Sequence, residues 1–330
     1  MKVLAGDIGG TKTLMQIADV TEDRYQVLYE QRFESQRYDD FLTLAQTFLA
    51  SAPYTAVAAI EDACVAVAGL VESAKTGQHA KVTNLPWEIE ARSLAATLRL
   101  PRLLLINDFQ AIGYAIDALA GDDFVVLQPG QCQLRAPRII IGAGTGLGVA
   151  QMIWQAGRYH VIPSEGGHAD FAPADEAQMA LLRYMQRSFS HVSYDRILSG
   201  PGLMHIYRFL LEAVSSVEPV QSVLLQPDAD AAAISAMAST DPVARQAVEM
   251  FVSIYGAQAG NLTLFNLAHG GVYIAGGIAP KILPYFQDGS FMQAFSNKGR
   301  MKGVMDAMPV SVIIHPKVGV MGAARAAAGM

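Results

Sequence analysis

Ile139-Ile-Ile141-Gly142-Ala-Gly144-Thr145-Gly146-Leu-Gly148-Val-Ala-Gln-Met-Ile153 decides how the rest of the chain is read. An apolar run ends in a turn of glycines and a threonine, and a second apolar run follows at once. The same grammar stands at the start of the chain, in Lys2-Val-Leu-Ala-Gly-Asp7-Ile-Gly9-Gly10-Thr11-Lys12-Thr13 and on into Leu14-Met-Gln-Ile-Ala18. Each stretch reads as strand, tight turn, strand, with glycines that allow backbone angles side chains forbid. Either one alone is an ordinary hairpin. Together they point to a duplicated domain in which each half supplies one turn to a shared cleft. Successive N–H groups in such a turn, with the Thr11 and Thr13 hydroxyls at the first, can hold phosphate oxygens. Asp7 at the strand's end can face a metal ion carried on those phosphates. Other glycine motifs fail on context. The glycines at 142, 144, 146 and 148 do not fit G-x-G-x-x-G, an extended segment follows where a Rossmann fold needs a helix, and there is no Walker A lysine followed by Ser or Thr.

The bulk numbers agree with a large folded protein. A chain of 330 residues suits two domains better than one core. With 52% hydrophobic and 16% charged residues it can bury extensive cores. A net charge of −6, with no run of Lys or Arg, argues against a nucleic-acid surface. No signal peptide is expected, because the apolar run after Lys2 is short and leads straight into the turn. The most apolar region, residues 56–71, is broken by Glu61-Asp62 and cannot span a bilayer. Cys64 and Cys132 lack metal spacing and read as free thiols in a reducing cytoplasm.

Between the turns, strands alternate with helices. A third strand is expected at residues 25–33, and a helix at 39–50. A short helix at 53–60 precedes the apolar strand 63–69. The polar stretch 72–80 and the turn Thr83-Asn84-Leu85-Pro86-Trp87 follow. A helix at 89–98 then leads to the strand Leu103-Leu-Leu-Ile106, and a helix at 109–119 follows Asn107-Asp108. The second half is more helical, with helices expected from Ser199 to Ala213 and from Asp241 towards Asn266. Gly256 and Gly260 inside the latter suggest close approach of another backbone. A strand over 270–278, a helix at 280–286, a strand at 310–315 and a small-residue helix at 319–328 complete the chain. This pattern is α/β with mixed sheets.

Four groups of residues carry possible chemistry. Asn107-Asp108 closes a strand where α/β folds place ligand-facing groups, so Asp108 can accept a hydroxyl proton; the pair also suits a helix N-cap. Glu165-Gly-Gly167-His168 has too few ligands for a metal, and its glycines can leave room for a polyhydroxylated ligand held by the carboxylate and imidazole. Asp195 is either a further sugar acceptor or a paired surface charge. Gly276-Gly277 is either a flat platform for a nucleotide or a plain strand-to-helix turn.

With these pieces in order, the sequence resembles the bacterial glucokinase family of the hexokinase, Hsp70 and actin superfamily. The matching words are Gly-Asp7-Ile-Gly-Gly-Thr11, Asn107-Asp108-Phe109, Gly142-Ala-Gly-Thr145-Gly-Leu-Gly148, Glu165-Gly-Gly-His168-Ala-Asp-Phe-Ala-Pro173, Leu198-Ser-Gly-Pro-Gly202 and Ile274-Ala-Gly-Gly-Ile278. The resemblance implies duplicated actin-like ATPase (ribonuclease H-like) domains with an interdomain cleft. The small domain would comprise residues 1–107 with the last helix, about 317–330, and the large domain residues 108–316. It also implies ATP-dependent phosphorylation of the glucose 6-hydroxyl by a cytoplasmic enzyme, in a family that tends to dimers.

Carried over by position, Asp108 becomes the catalytic base. Asn84, Asn107, Glu165, His168 and Asp195 surround the sugar along with it. Asp7, Gly9, Gly10, Thr11, Lys12, Gly144, Thr145 and Gly146 line the phosphates, Gly276 and Gly277 border the adenosine, and Asp7 reaches Mg2+ through water. Two positions depart from the family. Asp195 stands where a glutamate is common, one methylene shorter, and Lys12 where asparagine is frequent. Lysine is usual in the related repressor/kinase group, but that group carries a cysteine-rich zinc motif that two scattered cysteines cannot build. A kinase for another or several hexoses, and a non-catalytic sugar sensor on the same fold, are the alternatives to a glucokinase.

Overall fold

The computed structural model describes residues 1–330 except 23, 76 and 216–230. In chain order, the first half carries β1 (Lys2–Ile8), β2 (Lys12–Val20), β3 (Tyr25–Glu34), β4 (Asp62–Val67), β5 (Val71–Ala74), β6 (Gly77–Lys81), β7 (Glu88–Glu90) and β8 (Leu103–Asn107). One sheet has the order β3-β2-β1-β4-β8, and a small second sheet the order β5-β6-β7. β1 is antiparallel to β2 and parallel to β4, and β4 is parallel to β8. The second half carries β9 (Phe124–Gln128), β10 (Arg138–Ala143), β11 (Leu147–Gln155), β12 (Arg158–Ser164), β13 (Gly271–Ala275) and β14 (Val310–Ile313). Their sheet has the order β12-β11-β10-β13-β14-β9. β10 is antiparallel to β11 and parallel to β13, which is parallel to β14. Each Gly/Thr turn therefore joins the central strand of a sheet to its antiparallel neighbour, with parallel strands on the other side. That repeated order is the duplication the two turns implied.

Two compact units result. The first is Met1–Gly121 with Ala156–Pro163 and His315–Met330, and the second is Asp122–Gln155 with Ser164–Ile314. The first unit thus continues past Asn107, where the sequence placed a boundary. The helix Asp108–Ala115 packs on the C-terminal helix Val318–Ala327, so it stays with the first sheet. A Cβ on Gly322 would lie 1.7 Å from the Ala111 carbonyl oxygen, and Arg325 Nε donates to the Tyr114 carbonyl at 3.1 Å.

The first sheet is buried on both faces by alternation along its strands. Leu4, Ile8, Met15 and Ile17 face one cluster with Phe41, Phe48 and Trp87. Val3, Ala5, Ala18 and Ala66 face the other, with Ala111, Val320, Ala323 and Ala324. Small residues on this second face let the C-terminal helix lie close to the sheet. Lys317 anchors its start, donating to Glu30 at 2.6 and 2.9 Å. Burial opposes ionisation of Glu30, but its hydrogen bonds from Lys317 and Gln16 outweigh this and hold its pKa below the usual range.

The second unit has one continuous core, built from β10, β13 and β14 with the helices Gly200–Ser215 and Pro242–Asn266. Asp241 caps the latter helix, accepting from Val243 and Ala244 N–H groups. Gly256 and Gly260 meet the expected backbone: their Cβ atoms would lie 2.2 and 2.5 Å from the carbonyls of Phe291 and Phe295.

Among the elements that escaped the sequence reading are three short strands. The polar stretch 72–80 contains most of the β5–β6 hairpin, and β7 replaces the first turn of the helix expected from residue 89. β5 is mostly exposed, so it shows no apolar alternation to read. Gln78 nevertheless belongs to the main sheet's edge. Its side chain donates to the Leu105 carbonyl at 2.9 Å and accepts the Leu105 N–H at 3.0 Å, covering β8 as another strand would.

Gly322→Ala is expected to cost about 3 kcal/mol or more, because its methyl would collide with backbone rather than with a movable side chain. Gly303→Ala, in the helix Lys302–Asp306 with no atom within 4 Å of the added Cβ, should instead stabilise by up to about 1 kcal/mol. Denaturant titration of both variants checks the contrast.

Candidate active site

In the first unit the parallel strands β1, β4 and β8 end side by side. Asp7 pairs in register with Ala66, and Val67 with Asn107. These are the carboxyl ends, outside which α/β sheets bind ligands. The turn after β1 is held from outside itself. Gly9 N–H donates to the Lys12 carbonyl at 3.0 Å, and Ser35 N–H to the Thr11 carbonyl at 2.9 Å. The Ser35 hydroxyl donates to the Gly9 carbonyl at 3.0 Å and accepts from Thr13 Oγ1 at 3.0 Å. Thr13 and Ser35 are both fully buried. Thr13 is therefore a brace and not the phosphate ligand that its hydroxyl suggested. Ser35 is a brace the sequence did not reveal, since a lone serine after a strand carries no signal.

Thr11 and Lys12 are exposed, Lys12 opposite Glu34 in the ladder. Neither Gly9 nor Gly10 takes a positive φ. Gly10 is needed for room: its Cβ would lie 3.3 Å from the Thr83 carbonyl and 3.3 Å from Asn84 Cβ. Asn84, exposed and left-handed at φ 63°, thus lies against this turn.

Asn107 caps the next helix, its Oδ1 accepting from Phe109 N at 2.9 Å and Gln110 N at 3.3 Å. Its amide also donates to the Gly69 carbonyl at 3.2 Å. Asp108 is the first helical residue, with Oδ1 accepting from Phe109 N at 3.0 Å. The N-cap alternative therefore holds for Asn107, and the same bonds fix the backbone that presents Asp108.

Asp7 is partly buried, with Gly319 of the C-terminal helix against it. A Cβ there would lie 2.5 Å from the Asp7 carboxylate. Burial pushes the Asp7 pKa up from 3.8 to about 6.

In the second unit the turn is Gly144-Thr145-Gly146, closed by a Gly144 N–H to Gly146 carbonyl bond of 2.8 Å. Thr145 is exposed, and the space beside Gly144 is open. Gly200 N–H donates to the Gly144 carbonyl at 2.8 Å. The buried Tyr255 hydroxyl accepts from Ala143 N at 3.0 Å and donates to the Ile141 carbonyl at 3.2 Å, holding the strand that enters the turn.

Gly276 has φ +84°, and its Cβ would lie 2.4 Å from the Ala143 carbonyl. Its glycine character therefore serves backbone packing beside this turn, while Gly277 is open on its side-chain face. Glu165 and His168 are both exposed, their Oε2 and Nε2 atoms 3.7 Å apart. The Gly167 Cβ would lie 2.1 Å from the Leu147 carbonyl, so this glycine leaves room for backbone and not for a bound sugar. Asp195 is half-buried, and its Oδ1 accepts the Leu147 N–H at 2.7 Å.

Each predicted residue therefore sits in one of two polar clusters, one per unit, at the strand ends and turns of its own sheet. A family model described as Glucokinase matches residues 4–330. The chain belongs to the glucokinase family. A glucokinase of Trichormus variabilis is 42% identical over 344 residues, covering 99% of this chain and 98% of that one. The solved glucokinase from an Antarctic psychrotroph superposes with a TM-score of 0.84 at 28% identity, covering 100% and 99% of the two chains. A ROK family glucokinase from Streptomyces griseus, solved in complex with glucose and AMPPNP, reaches 0.67 at 21% identity over the full length of both. The last match speaks to fold alone, and the fold is the duplicated α/β one of the actin-like ATPases, as the sheet orders already required.

The Asp7 shift has a signed consequence for the metal-free protein. Below about pH 4 the carboxyl is protonated whether folded or not, and between about 4 and 6 it is protonated mainly in the folded state. Stability from the protonated form is lost as pH rises through 6, by about 1–3 kcal/mol. Asp7→Asn should therefore melt above the wild type at pH 7.5 in the presence of a chelator, with the gap closing towards pH 4. An equal gap at both pH values would contradict it.

Proposed function

We propose that this chain transfers the γ-phosphoryl group of ATP to the 6-hydroxyl of glucose, with Asp108 as the base. The observation that carries the reading is the place of Asp108. It is the first residue of a helix at the carboxyl end of β8, on the same sheet edge as Asp7 and the Thr11 turn. Membership of the glucokinase family supports the reaction class and both substrates.

Asn84, Asn107, Glu165 and His168 hold sugar hydroxyls in this reading. Asn107 has one amide hydrogen left for that after its bond to Gly69. The N–H groups of Gly10 and Thr11, and of Thr145 and Gly146, face the phosphates, with the exposed Thr11 and Thr145 hydroxyls beside them, while the Gly9 and Gly144 N–H groups close the turns themselves. Lys12 adds a positive charge at the first turn, and Gly277 offers an open face to the adenosine.

The donor set fits Mg2+. Asp7 is a single carboxylate, and no cluster of three His, Cys, Asp or Glu residues exists among the described residues, which suits an ion that keeps its own waters. Such an ion, when bound, supplies charge neutralisation on the phosphates. Asp7 would hold it through water.

Transfer is in line. As the bond from the sugar oxygen to phosphorus forms, the hydroxyl proton passes to the Asp108 carboxylate and the bond to ADP breaks. An aspartate is a weak base for an alcohol, and it serves here because the proton leaves late, when the oxygen is already bonding to phosphorus. Positioning and charge therefore do most of the work. A cytoplasmic homodimer without nucleic-acid or membrane partners completes the reading; no helix among the described residues is long and apolar enough to cross a membrane.

A coupled assay over glucose, mannose, fructose and glucosamine, with two or three phosphate donors, tests this function; glucose with ATP should give the highest kcat/KM. Asp108→Asn should keep glucose binding while turnover falls by about 10³-fold or more. Near-normal turnover in that variant would remove Asp108 from the role of base.

A further inference from the structure

Asp195 bonds to two loops of the second unit at once. Its Oδ1 accepts the Leu147 N–H at 2.7 Å, immediately after the Gly144-Thr145-Gly146 turn. Its own N–H donates to the Gly167 carbonyl at 2.8 Å, inside the Glu165–His168 loop. The glycines on either side make this possible. A Cβ on Gly146 would lie 2.6 Å from the same Oδ1, and one on Gly167 would lie 2.1 Å from the Leu147 carbonyl.

The backbone around Asp195 is itself fixed, with Ile197 N–H donating to the Tyr194 carbonyl at 3.0 Å and Leu198 N–H to the same oxygen at 2.6 Å. Two residues after Leu198, Gly200 N–H holds the Gly144 carbonyl at 2.8 Å. One segment thus grips the turn at both ends, by backbone at Gly144 and by carboxylate at Leu147. A carboxylate on a backbone N–H is about twice as strong as a neutral pair, and in this half-buried place it is directional.

We infer that Asp195 is a positioning residue for the nucleotide. Acting through Leu147, it holds the Gly144–Gly146 turn in its anion-binding shape and keeps it in register with the Glu165–His168 loop. The inference rests on the reading of this turn as a phosphate clamp.

Asp195→Ala and Asp195→Asn in the full chain test it. ATP KM and kcat would be measured together with ADP and glucose affinities by calorimetry and amide exchange over residues 142–150. In Asp195→Ala, ATP KM and the ADP Kd should rise about tenfold and exchange should quicken, while the glucose Kd stays within about threefold. Asn keeps an acceptor oxygen for Leu147, so Asp195→Asn should recover most of the loss. A glucose Kd raised about tenfold in both variants, with ATP KM and exchange unchanged, would overturn the inference and make Asp195 a sugar ligand.

If the wild type phosphorylates no sugar, the proposed function fails separately. Amide exchange and ADP affinity then still decide, and unchanged values in Asp195→Ala overturn the positioning role. Should Asp195→Ala not fold, Asp195→Ser, whose hydroxyl falls one atom short of the carboxylate oxygens, takes its place. The same losses are expected from it, and wild-type exchange and ADP affinity would again overturn the inference.

Discussion

A tight turn closed by a single bond of its own must take the rest of its shape from partners outside it. Both Gly/Thr turns of this chain live under that constraint. At the first, Ser35 holds two carbonyls, those of Thr11 and Gly9, and ties in the Thr13 hydroxyl. At the second, Gly200 holds the Gly144 carbonyl, Asp195 takes the Leu147 N–H, and Tyr255 bridges Ala143 and Ile141. The braces differ between the halves although the strand order is shared. Duplication preserved the turn and its place in the sheet, and each half found its own partners for the surrounding backbone.

The same economy of space runs through the glycines. Gly167, Gly276 and Gly322 would each place a Cβ between 1.7 and 2.4 Å from a backbone carbonyl oxygen. They are contact points between backbones, and they set how closely the site's loops and helices approach one another. Gly319 does this directly at the chemistry, because it lets the C-terminal helix lie against Asp7 and so raises the cost of its charge. A buried acid at a phosphate site costs stability in the empty protein and becomes favourable only when a counter-charge arrives.

Much of this was legible from residue order alone. Strand-turn-strand at both Gly/Thr turns, the strand ending at Asn107-Asp108 and the glycine pair after β13 were read from apolar runs that end in small or polar residues. Those signals are local: a buried strand must be apolar and a tight turn must be small. The β5–β7 sheet was not legible, because strands exposed on one side can be polar along most of their length. Nor was the side on which helix Asp108–Ala115 would pack. That depends on Gly322, more than 200 residues away, and its fit to Ala111.

The sequence by itself determined the α/β class, the duplication and the glucokinase family. Each of these follows from which residue types stand next to one another along the chain. Only the tertiary structure decided what individual polar groups do. Thr13 has the chemistry of a ligand but is spent on Ser35, and Asp195 gives one carboxylate oxygen to the Leu147 N–H. A hydroxyl or carboxylate is assigned by the partner nearest to it in space, and in a folded chain that partner need not be close in sequence.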